Sequence, residues 1–363
     1  MDFETLIIGG GGMGLSTAYN LKKMKASVHV LEGSYYNSGS TGRNTGLIRA
    51  RNTHSIGAGH AEIVKLALKG MRSFSTLSSE TGINLFYRKG GGLIISETKE
   101  EIKEQRILHE TYRKNGIKVE ELSAKNIERR WPYINAGSIQ GGFYAPEEAS
   151  IHPFSLTWAY VENIKKLIEK ENRALSIDRI DAGYLIETEK ADITASKVIL
   201  ACGEDSAGLA KQLGFKLPFE YSRKEMFISE PIRPMFGPSI ERPSEMYRIT
   251  QTMRGEILGT IGREEGSNMS VSSSKFLEQY AKMTVGLIPV FRDLNLIRQW
   301  VGTYQNTPDE KPIVGKLDDE LYIVGGFMDY GITLVPIIGK LMAELVTKGE
   351  LNPLIAPFDP LRF

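Results

Sequence analysis

Near its start the chain runs from aliphatic residues into closely spaced glycines and then into helix formers, in the stretch LIIGGGGMGLSTAYNLKK, residues 6–23. Gly9, Gly11 and Gly14 have the spacing G-x-G-x-x-G, and a second apolar stretch, ASVHVLEG, predicts a strand that ends near Glu32. In such a unit the first glycine makes the tight turn, the second lets a pyrophosphate approach the backbone, and the third allows close helix packing. An acid at the end of the second strand is placed to bind a ribose. The segment therefore predicts a dinucleotide-binding unit, without distinguishing NAD from FAD.

The rest of the chain predicts an α/β fold assembled from separated pieces. Helical patterning covers residues 60–81, a strand is expected at 90–96, and the region 218–302 is rich in strand patterns. The strand LYIVGG and the loop FMDYG then precede a final helix at 334–348. We predict a Rossmann-like domain of residues 1–85, 146–217 and 303–363, with an inserted α+β, mostly antiparallel domain of residues 86–145 and 218–302.

A further helix is predicted to begin at Pro153, because proline is favoured in the first turn of a helix. The residues that then fall at steps of three and four are Phe154, Trp158, Val161, Lys165 and Ile168. The stem of the lysine would cover part of this apolar face. Side chains at these steps share one face of a helix, so we expect this face to pack against a sheet.

Bulk charge points to no polyanionic partner. The chain has 45 basic and 44 acidic residues and a net charge of +1, which gives no footprint for nucleic acid or an acidic membrane. Its most apolar late stretch is interrupted by Asp329 and Pro336, so we predict a strand, loop and helix there instead of a membrane span.

Cysteine and histidine usage predicts no metal site. Cys202 is the one cysteine of the sequence, so no intrachain disulfide can form, and a buried structural thiol and a reducing, cytoplasmic location are expected. The histidines have no close metal-ligand spacing; they are His29, His54, His60, His109 and His152.

Four segments spread over the chain give it a resemblance to a known family. They are IIGGGGMGLSTAYNL, GSTGRNTGLIRA, KVILACGEDSAGLAKQLG, and the long stretch from WVGTYQNTP to MAELV near the C-terminus. The sequence resembles the FAD-dependent D-amino-acid oxidase-like (DAO) superfamily, which includes sarcosine oxidases, glycine oxidase and dye-linked proline dehydrogenases. The second segment is most similar to the β subunits of heteromeric sarcosine oxidase and archaeal-type L-proline dehydrogenase. The resemblance answers the cofactor question in favour of FAD.

The resemblance implies an enzyme that oxidises the CH–NH group of a small amino acid, L-proline or sarcosine first, by hydride transfer to flavin N5. A dehydrogenase with an electron-accepting partner subunit is the favoured form, and an oligomer is compatible with it. Glycine or D-amino-acid oxidation, or a flavin-binding subunit active only within a heteromeric complex, stay open.

The cofactor residues that motif and resemblance together predict come from five places along the chain. The glycine motif and second strand contribute Gly9, Gly11, Gly12, Met13, Gly14 and Glu32. The loop that follows contributes Thr41, Gly42, Arg43, Asn44, Thr45, Gly46 and Leu47. The middle of the chain contributes Ile177, Cys202 and Gly203, and the C-terminal segment contributes Gly326, Asp329, Gly331, Ile332 and Thr333. The final helix would point its positive end at the flavin.

Arg49 is the leading candidate for binding the substrate, because it aligns with the arginine that binds the substrate carboxylate in monomeric sarcosine oxidase. A guanidinium can hold a carboxylate bidentately, although Arg49 could also face solvent or a phosphate. Arg43 and Arg51 are weaker candidates. Tyr247 and Tyr330 could offer hydroxyls to the pocket.

Two departures from the sarcosine oxidase pattern affect the expected chemistry. Thr333 stands where these enzymes carry a second carboxylate-binding lysine, so Thr333 is counted with the catalytic candidates. Ile257 is the best counterpart of a lysine that activates oxygen in monomeric sarcosine oxidase, which favours a dehydrogenase.

The expected FAD is non-covalent, because Cys202 lies outside the C-terminal region where these enzymes attach FAD. His152 falls near the histidine that carries covalent FMN in the β subunit of heterotetrameric sarcosine oxidase. FMN at this site is a less favoured alternative to a histidine that simply precedes a helix.

Overall fold

Two large β-sheets with helices packed on them form the described part of the chain, which is residues 1–52, 61–235, 237–262, 264–265 and 272–363 of a computed structural model. The α-helices in these residues are α1 (Gly12–Lys23), α2 (Ala61–Thr81), α3 (Lys99–Lys114), α4 (Ala124–Arg130), α5 (Pro153–Ile164), α6 (Asp205–Gln212), α7 (Ser274–Leu287) and α8 (Gly331–Lys348). Two of the histidines considered as metal ligands, His54 and His60, lie outside the described residues.

The strands in the first half of the chain are β1 (Phe3–Ile8), β2 (His29–Leu31), β3 (Leu47–Ile48), β4 (Gly92–Ser96), β5 (Glu120–Ser123), β6 (Gly141–Ala145), β7 (Ala149–Ser150), β8 (Ile168–Glu169) and β9 (Ala174–Ile180). Those that follow are β10 (Gly183–Thr188), β11 (Ile193–Leu200), β12 (Glu220–Pro231), β13 (Ser239–Arg242), β14 (Tyr247–Gln251), β15 (Glu256–Thr260), β16 (Glu264–Glu265), β17 (Leu296–Asn306), β18 (Ile313–Asp318) and β19 (Leu321–Gly325). The short β3 and β7 pair with each other.

The first sheet has the strand order β18-β19-β11-β1-β2-β8, and β9 and β10 extend it from β11. β19, β11, β1, β2 and β8 run parallel. Leu6, Ile7 and Ile8 of β1 are all buried, as a parallel strand covered on both faces requires. α1 and α8 pack so closely that a Cβ at Gly339 would lie 2.1 Å from Ser16 Oγ.

The second sheet has the order β16-β12-β15-β14-β13-β4-β6-β5, with β17 paired to the other edge of β12. Its pairings are antiparallel except for β13 with β4. The expected run of strands in residues 218–302 is interrupted by α7, whose first turn is capped by the Ser273 hydroxyl accepting from the Phe276 amide. The α/β fold class predicted from the sequence is confirmed.

The predicted domain ranges can be compared with the two sheets, although the division itself stays a prediction. The first sheet takes its strands from 1–85, 146–217 and 303–363, and the second from 86–145 and 218–302, except that β17 continues to Asn306. α1 and α8 begin at Gly12 and Gly331, each three residues before the starts that the sequence predicts, which are Leu15 and Leu334. In both cases the glycines at the turn already belong to the helix.

The face predicted for α5 is only partly buried, since Val161 is buried as expected but Phe154 and Trp158 are not. Phe154 and Trp158 are 45% and 47% exposed, while Leu156, Tyr160 and Ile164 are buried. The helix ends at Ile164, so Ile168 belongs to β8.

The segment Met328–Lys348 is long and apolar enough to cross a membrane, but 78% of its most apolar 18-residue window is buried inside the protein. Such burial is that of a core helix.

Candidate functional site

A cavity of about 520 Å³ opens in the first sheet. Its wall includes the residues at the carboxyl ends of β1, β2, β11 and β19, which are Gly9, Glu32, Ala201 and Gly325. Ligands of open parallel sheets bind at this edge, so the fold itself marks the cavity as the candidate site.

Most of the predicted cofactor residues contribute to this wall. They are Gly9, Gly11, Gly12, Met13, Glu32, Thr41, Arg43, Asn44, Thr45, Leu47, Cys202, Gly203, Asp329, Gly331 and Ile332. The wall also has residues that the sequence did not single out, among them Tyr35, Arg173, Ala174, Arg248, Tyr304 and Met328.

The three motif glycines are required for different structural reasons. Gly9 has φ +115°, and a Cβ there would lie 2.4 Å from the Ala201 carbonyl oxygen. A Cβ at Gly14 would lie 2.0 Å from the Gly9 carbonyl oxygen, which is the close helix packing that the motif predicts. At Gly11 the nearest atom to a Cβ is Thr41 Oγ1, at 3.7 Å. A Cβ at Gly11 would therefore meet no steric clash within the protein, and Gly11 itself lines the cavity.

Glu32 is fixed by the backbone on both of its oxygens. Gly10 N donates to Oε2 and Ser34 N donates to Oε1, each at 2.8 Å. The carboxylate is thus oriented in the cavity wall before any ligand binds, as an acid that receives ribose hydroxyls should be.

The loop after β2 is held against β17. Ser40 Oγ donates to the Thr303 carbonyl oxygen at 2.8 Å, and Arg43 Nη1 donates to that of Val301 at 3.1 Å. Gly42 and Gly46 lie in this loop but do not line the cavity. A Cβ at either position would collide with a backbone carbonyl oxygen, so only glycine fits there. Their role is to shape the loop.

At the C-terminal side, α8 begins at the cavity with Gly331 and Ile332 in its wall. Thr333 is fully buried behind them, and its Oγ1 accepts from the backbone N–H of Arg49 at 2.9 Å. Thr333 therefore positions Arg49 and is not itself a contact for a ligand in this cavity, which corrects its predicted role.

Arg49 lies in the cavity wall within a buried group of charged side chains. Its Nη1 donates to both oxygens of Glu241 at 2.6 Å, and its Nη2 is 3.7 Å from Asp329 Oδ1. Burial alone would lower the pKa of Arg49, but the neighbouring carboxylates, Glu241 first, raise it above its ordinary value. Arg49 is therefore always charged.

Two more cations complete this group, which we call the charged cluster: Arg49, Lys224, Glu241, Arg248 and Asp329. Arg248 Nη2 donates to Glu241 Oε2 at 3.1 Å, and Lys224 lies with its Nζ 5.0 Å from the centre of the Tyr304 ring. Burial lowers the pKa of Lys224 to about 8, and Asp329 partly opposes this. The charged cluster thus combines three basic and two acidic side chains.

Lys224 gives the first testable prediction. Its pKa is lowered on folding, so the folded state binds this proton less tightly than the unfolded state and is penalised wherever the unfolded lysine is charged. The penalty is full below about pH 8 and fades as the pH approaches the unfolded value. We expect Lys224→Met to be stabilising at pH 7, and its advantage over the wild type to shrink by about 2 kcal/mol at pH 10. Urea unfolding of both proteins at the two pH values measures this, and an unchanged difference would contradict the lowered pKa.

Three predicted site residues lie away from the cavity. Tyr247 is in the apolar core of the second sheet, where its hydroxyl is 3.0 Å from Thr284 Oγ1 and burial raises its pKa to about 12. Ile177 lies on β9 in an apolar core of the first sheet, and Ala174, earlier on the same strand, lines the cavity instead. Tyr330 is buried next to Tyr112 and is absent from the wall.

Gly326, Arg51 and Ile257 also lie outside the wall. Gly326 has φ +69° and donates its N–H to Gln305 Oε1, so it shapes the turn after β19. Arg51 is buried in a bidentate ion pair with Glu148. Ile257 packs in the core of the second sheet, whereas Lys224 on the adjacent β12 reaches the charged cluster.

Of the two residues considered for covalent flavin attachment, Cys202 lines the cavity and His152 does not. Cys202 is in the cavity wall, where burial raises the pKa of its thiol to about 12 and Ser206 Oγ lies 3.3 Å from the sulfur. The thiol is therefore neutral and weakly nucleophilic. His152 precedes α5 between the rings of Phe86 and Phe154, outside the wall.

Comparison with known proteins agrees with the geometry. Residues 4–345 match the DAO family, described as FAD dependent oxidoreductase. The sarcosine oxidase subunit beta of Rhodobacter capsulatus is 25% identical over 373 residues, covering 99% of this chain and 88% of the relative. The crystal structure of L-proline dehydrogenase from P. horikoshii superposes with a TM-score of 0.89 at 25% identity, covering 99% and 97% of the two chains. Glycine oxidase from Geobacillus kaustophilus gives a TM-score of 0.92 at 21% identity over 99% of each chain, which shows the shared fold.

Proposed function

Since the chain belongs to the DAO family of FAD-dependent oxidoreductases, we propose that it oxidises the CH–NH group of a small amino acid, with L-proline or sarcosine as the first candidates. FAD, when bound, supplies the acceptor for the hydride that leaves the carbon beside the nitrogen. We propose a dehydrogenase that hands its electrons to a partner subunit.

The residues around the cavity fit a flavin dinucleotide. No protein atom beyond the chain neighbours of Gly11 lies closer than 3.7 Å to its Cβ position, so a pyrophosphate can approach the backbone there. Glu32 presents a carboxylate oriented by two backbone amides. The N-terminus of α8, at Gly331, brings a positive dipole to the same cavity, which favours negative charge on a bound group there. Non-covalent binding is supported by the neutral thiol of Cys202.

The observation that carries the proposal is the position of Arg49. Its guanidinium lies in the wall of the same cavity as the glycine motif, buried and permanently charged. A substrate carboxylate held there would be fixed at one end, so that its CH–NH group is oriented by the same contact. Neither a strong acid nor a nucleophile is needed for this chemistry.

The proposed electron acceptor is a partner subunit and not oxygen. A relative named as a subunit beta and a similar structure named L-proline dehydrogenase support a dehydrogenase with a partner. Ile257 supports it as well, but the buried Lys224 places a cation near the cavity from another strand. Glycine or D-amino-acid oxidation is therefore retained as the second candidate, favoured by that lysine.

The test is an anaerobic visible spectrum of the purified protein before and after addition of L-proline, sarcosine, glycine and D-alanine in turn. We expect the oxidised flavin band to be present and to bleach with L-proline or sarcosine. Pyrrolidine, which is proline without its carboxylate, is the matched control and should bleach the band far more slowly, because it cannot bind Arg49.

The other outcomes separate the alternatives. Bleaching by glycine or D-alanine, with peroxide formed in air, would favour the oxidase. A stable band with all four amino acids would favour a subunit that is active only in a complex. A protein unable to bind FAD would contradict the whole proposal.

A further inference from the structure

Arg248 faces the cavity because of the alternation of β14. Its neighbours on the strand, Tyr247 and Ile249, pack into the apolar core of the second sheet, and successive side chains of a strand point to opposite faces. Arg248 therefore points away from that core, and it lines the cavity. On the next strand Glu241 is its direct cross-strand partner, which holds Arg248 Nη2 at 3.1 Å.

The same carboxylate holds Arg49, which arrives from a different part of the fold. Glu241 thus binds one amino group of each arginine and is not itself in the cavity wall. The other amino groups converge on one atom, since Arg49 Nη2 is 3.7 Å and Arg248 Nη1 is 3.5 Å from Asp329 Oδ1. Both distances are longer than a hydrogen bond.

Arg49 Nη2 is buried and has no hydrogen-bond partner within the described part of the chain. Buried donors are normally satisfied, so an unsatisfied guanidinium nitrogen at a cavity wall indicates a ligand that is to be bound there. The point where the two arginines converge is already next to a carboxylate oxygen, which shows that the position suits an anion.

We infer that Arg248 is a second ligand of the substrate carboxylate, that it forms with Arg49 a two-arginine site aimed by Glu241, and that Asp329 weakens the affinity of this site for anions. The inference rests on the proposed function, because it takes the substrate to be a carboxylate. Two guanidinium groups can donate to both oxygens of one carboxylate, which fixes its orientation better than one. Asp329, which lines the same cavity, would lie beside the bound carboxylate and repel it.

A different role for Asp329 predicts the opposite result. If its carboxylate instead bound the substrate nitrogen, removing its charge would weaken binding of the amino acid and leave a ligand without a basic nitrogen unaffected. The test therefore needs a ligand that has the carboxylate but no basic amine.

Pyrrole-2-carboxylate meets this need, because it has the size of proline, carries a carboxylate and has no hydride to donate. Its Kd for the FAD-loaded protein is measured by calorimetry and by the change in the flavin spectrum, with pyrrole-2-carboxamide as the neutral control ligand. The variants are Arg248→Gln and Asp329→Asn. Arg242→Gln is the control, since Arg242 lies on the same sheet but pairs with Glu97 and Glu245.

We expect Arg248→Gln to raise the Kd of the carboxylate about tenfold or more, as loss of a charge-assisted hydrogen bond does, and Asp329→Asn to lower it about tenfold. Arg242→Gln and the amide should show neither effect. An unchanged Kd in Arg248→Gln, or a carboxylate that binds no better than the amide, would overturn the inference. Carboxylate binding that responds as expected in a protein that no amino acid reduces would instead contradict the proposed function and leave the anion site standing.

Discussion

Gly11→Val is expected to abolish FAD binding while the protein without cofactor stays folded. The nearest atom to a Cβ at this position is Thr41 Oγ1 at 3.7 Å, so a Cβ fits without a clash inside the protein, in the wall of the cavity. Gly11 has φ −75°, which any residue adopts. It is also the N-cap of α1, where valine is a poor replacement, so we expect a loss of stability of about 1 kcal/mol.

The measurement is a fluorescence titration of FAD into the cofactor-free protein, together with urea unfolding. We expect the FAD affinity to fall at least about a thousandfold, since the second glycine of the motif is the one that a pyrophosphate must approach. Gly14→Ala could not make this distinction, because its Cβ would lie 2.0 Å from the Gly9 carbonyl oxygen and would disturb the fold as well.

Gly208→Val is the matched control. Gly208 lies in α6, outside the cavity wall, and a Cβ there meets no atom within 4 Å. This variant should keep its stability or gain a few tenths of a kcal/mol, because valine is a better helix former than glycine, and it should keep its FAD affinity. Wild-type affinity in Gly11→Val would show that the cofactor does not lie against this turn.

The glycine motif could be predicted from the sequence because its constraints are local. The turn, the helix and the acid at the end of β2 lie within 32 residues, and each leaves its own pattern in the chain. Gly14, for example, is required by the carbonyl of Gly9, five residues away.

The charged cluster could not be predicted, because chain pairing over long distances builds it. Glu241 and Arg49 are 192 residues apart, and only the pairing of β13 with β14 brings Arg248 opposite Glu241. The prediction at β14 was displaced by one residue: Tyr247 was expected in the pocket and Arg248 is there. A shift of one residue exchanges the two faces of a strand, and the sequence does not fix the register.

The exposure of two residues predicted to be buried in α5 has a similar cause. Phe154 and Trp158 are four residues apart, but so are Leu156 and Tyr160, which are the buried pair. Two apolar stripes on one helix satisfy the same periodicity, and only the packing of Tyr160 against Tyr19 of α1 decides between them.

Replacement of Arg49 by lysine should reduce kcat/KM for the amino acid about a hundredfold or more, chiefly through KM. Lysine keeps the charge but has one nitrogen in place of the planar fork, so it cannot bind Glu241 and also present two parallel N–H groups to a substrate carboxylate. Arg49→Ala would be a poorer test, since it leaves Glu241 short of one partner in a buried site and is expected to cost about 3–5 kcal/mol of stability. FAD content and the flavin spectrum of Arg49→Lys should match those of the wild type.

Arg51→Lys controls for the loss of a buried bidentate arginine in the same segment. Arg51 is as buried as Arg49 and holds both oxygens of Glu148, at 2.6 and 2.8 Å, but it lies outside the cavity wall. It should therefore lose a similar amount of stability and keep its KM. Steady-state kinetics and urea unfolding of the two variants distinguish a substrate-binding role of Arg49 from a structural one. An equal rise in KM for both would mean that Arg49 acts by holding the segment in place, whereas a rise confined to Arg49→Lys requires its guanidinium to contact the substrate.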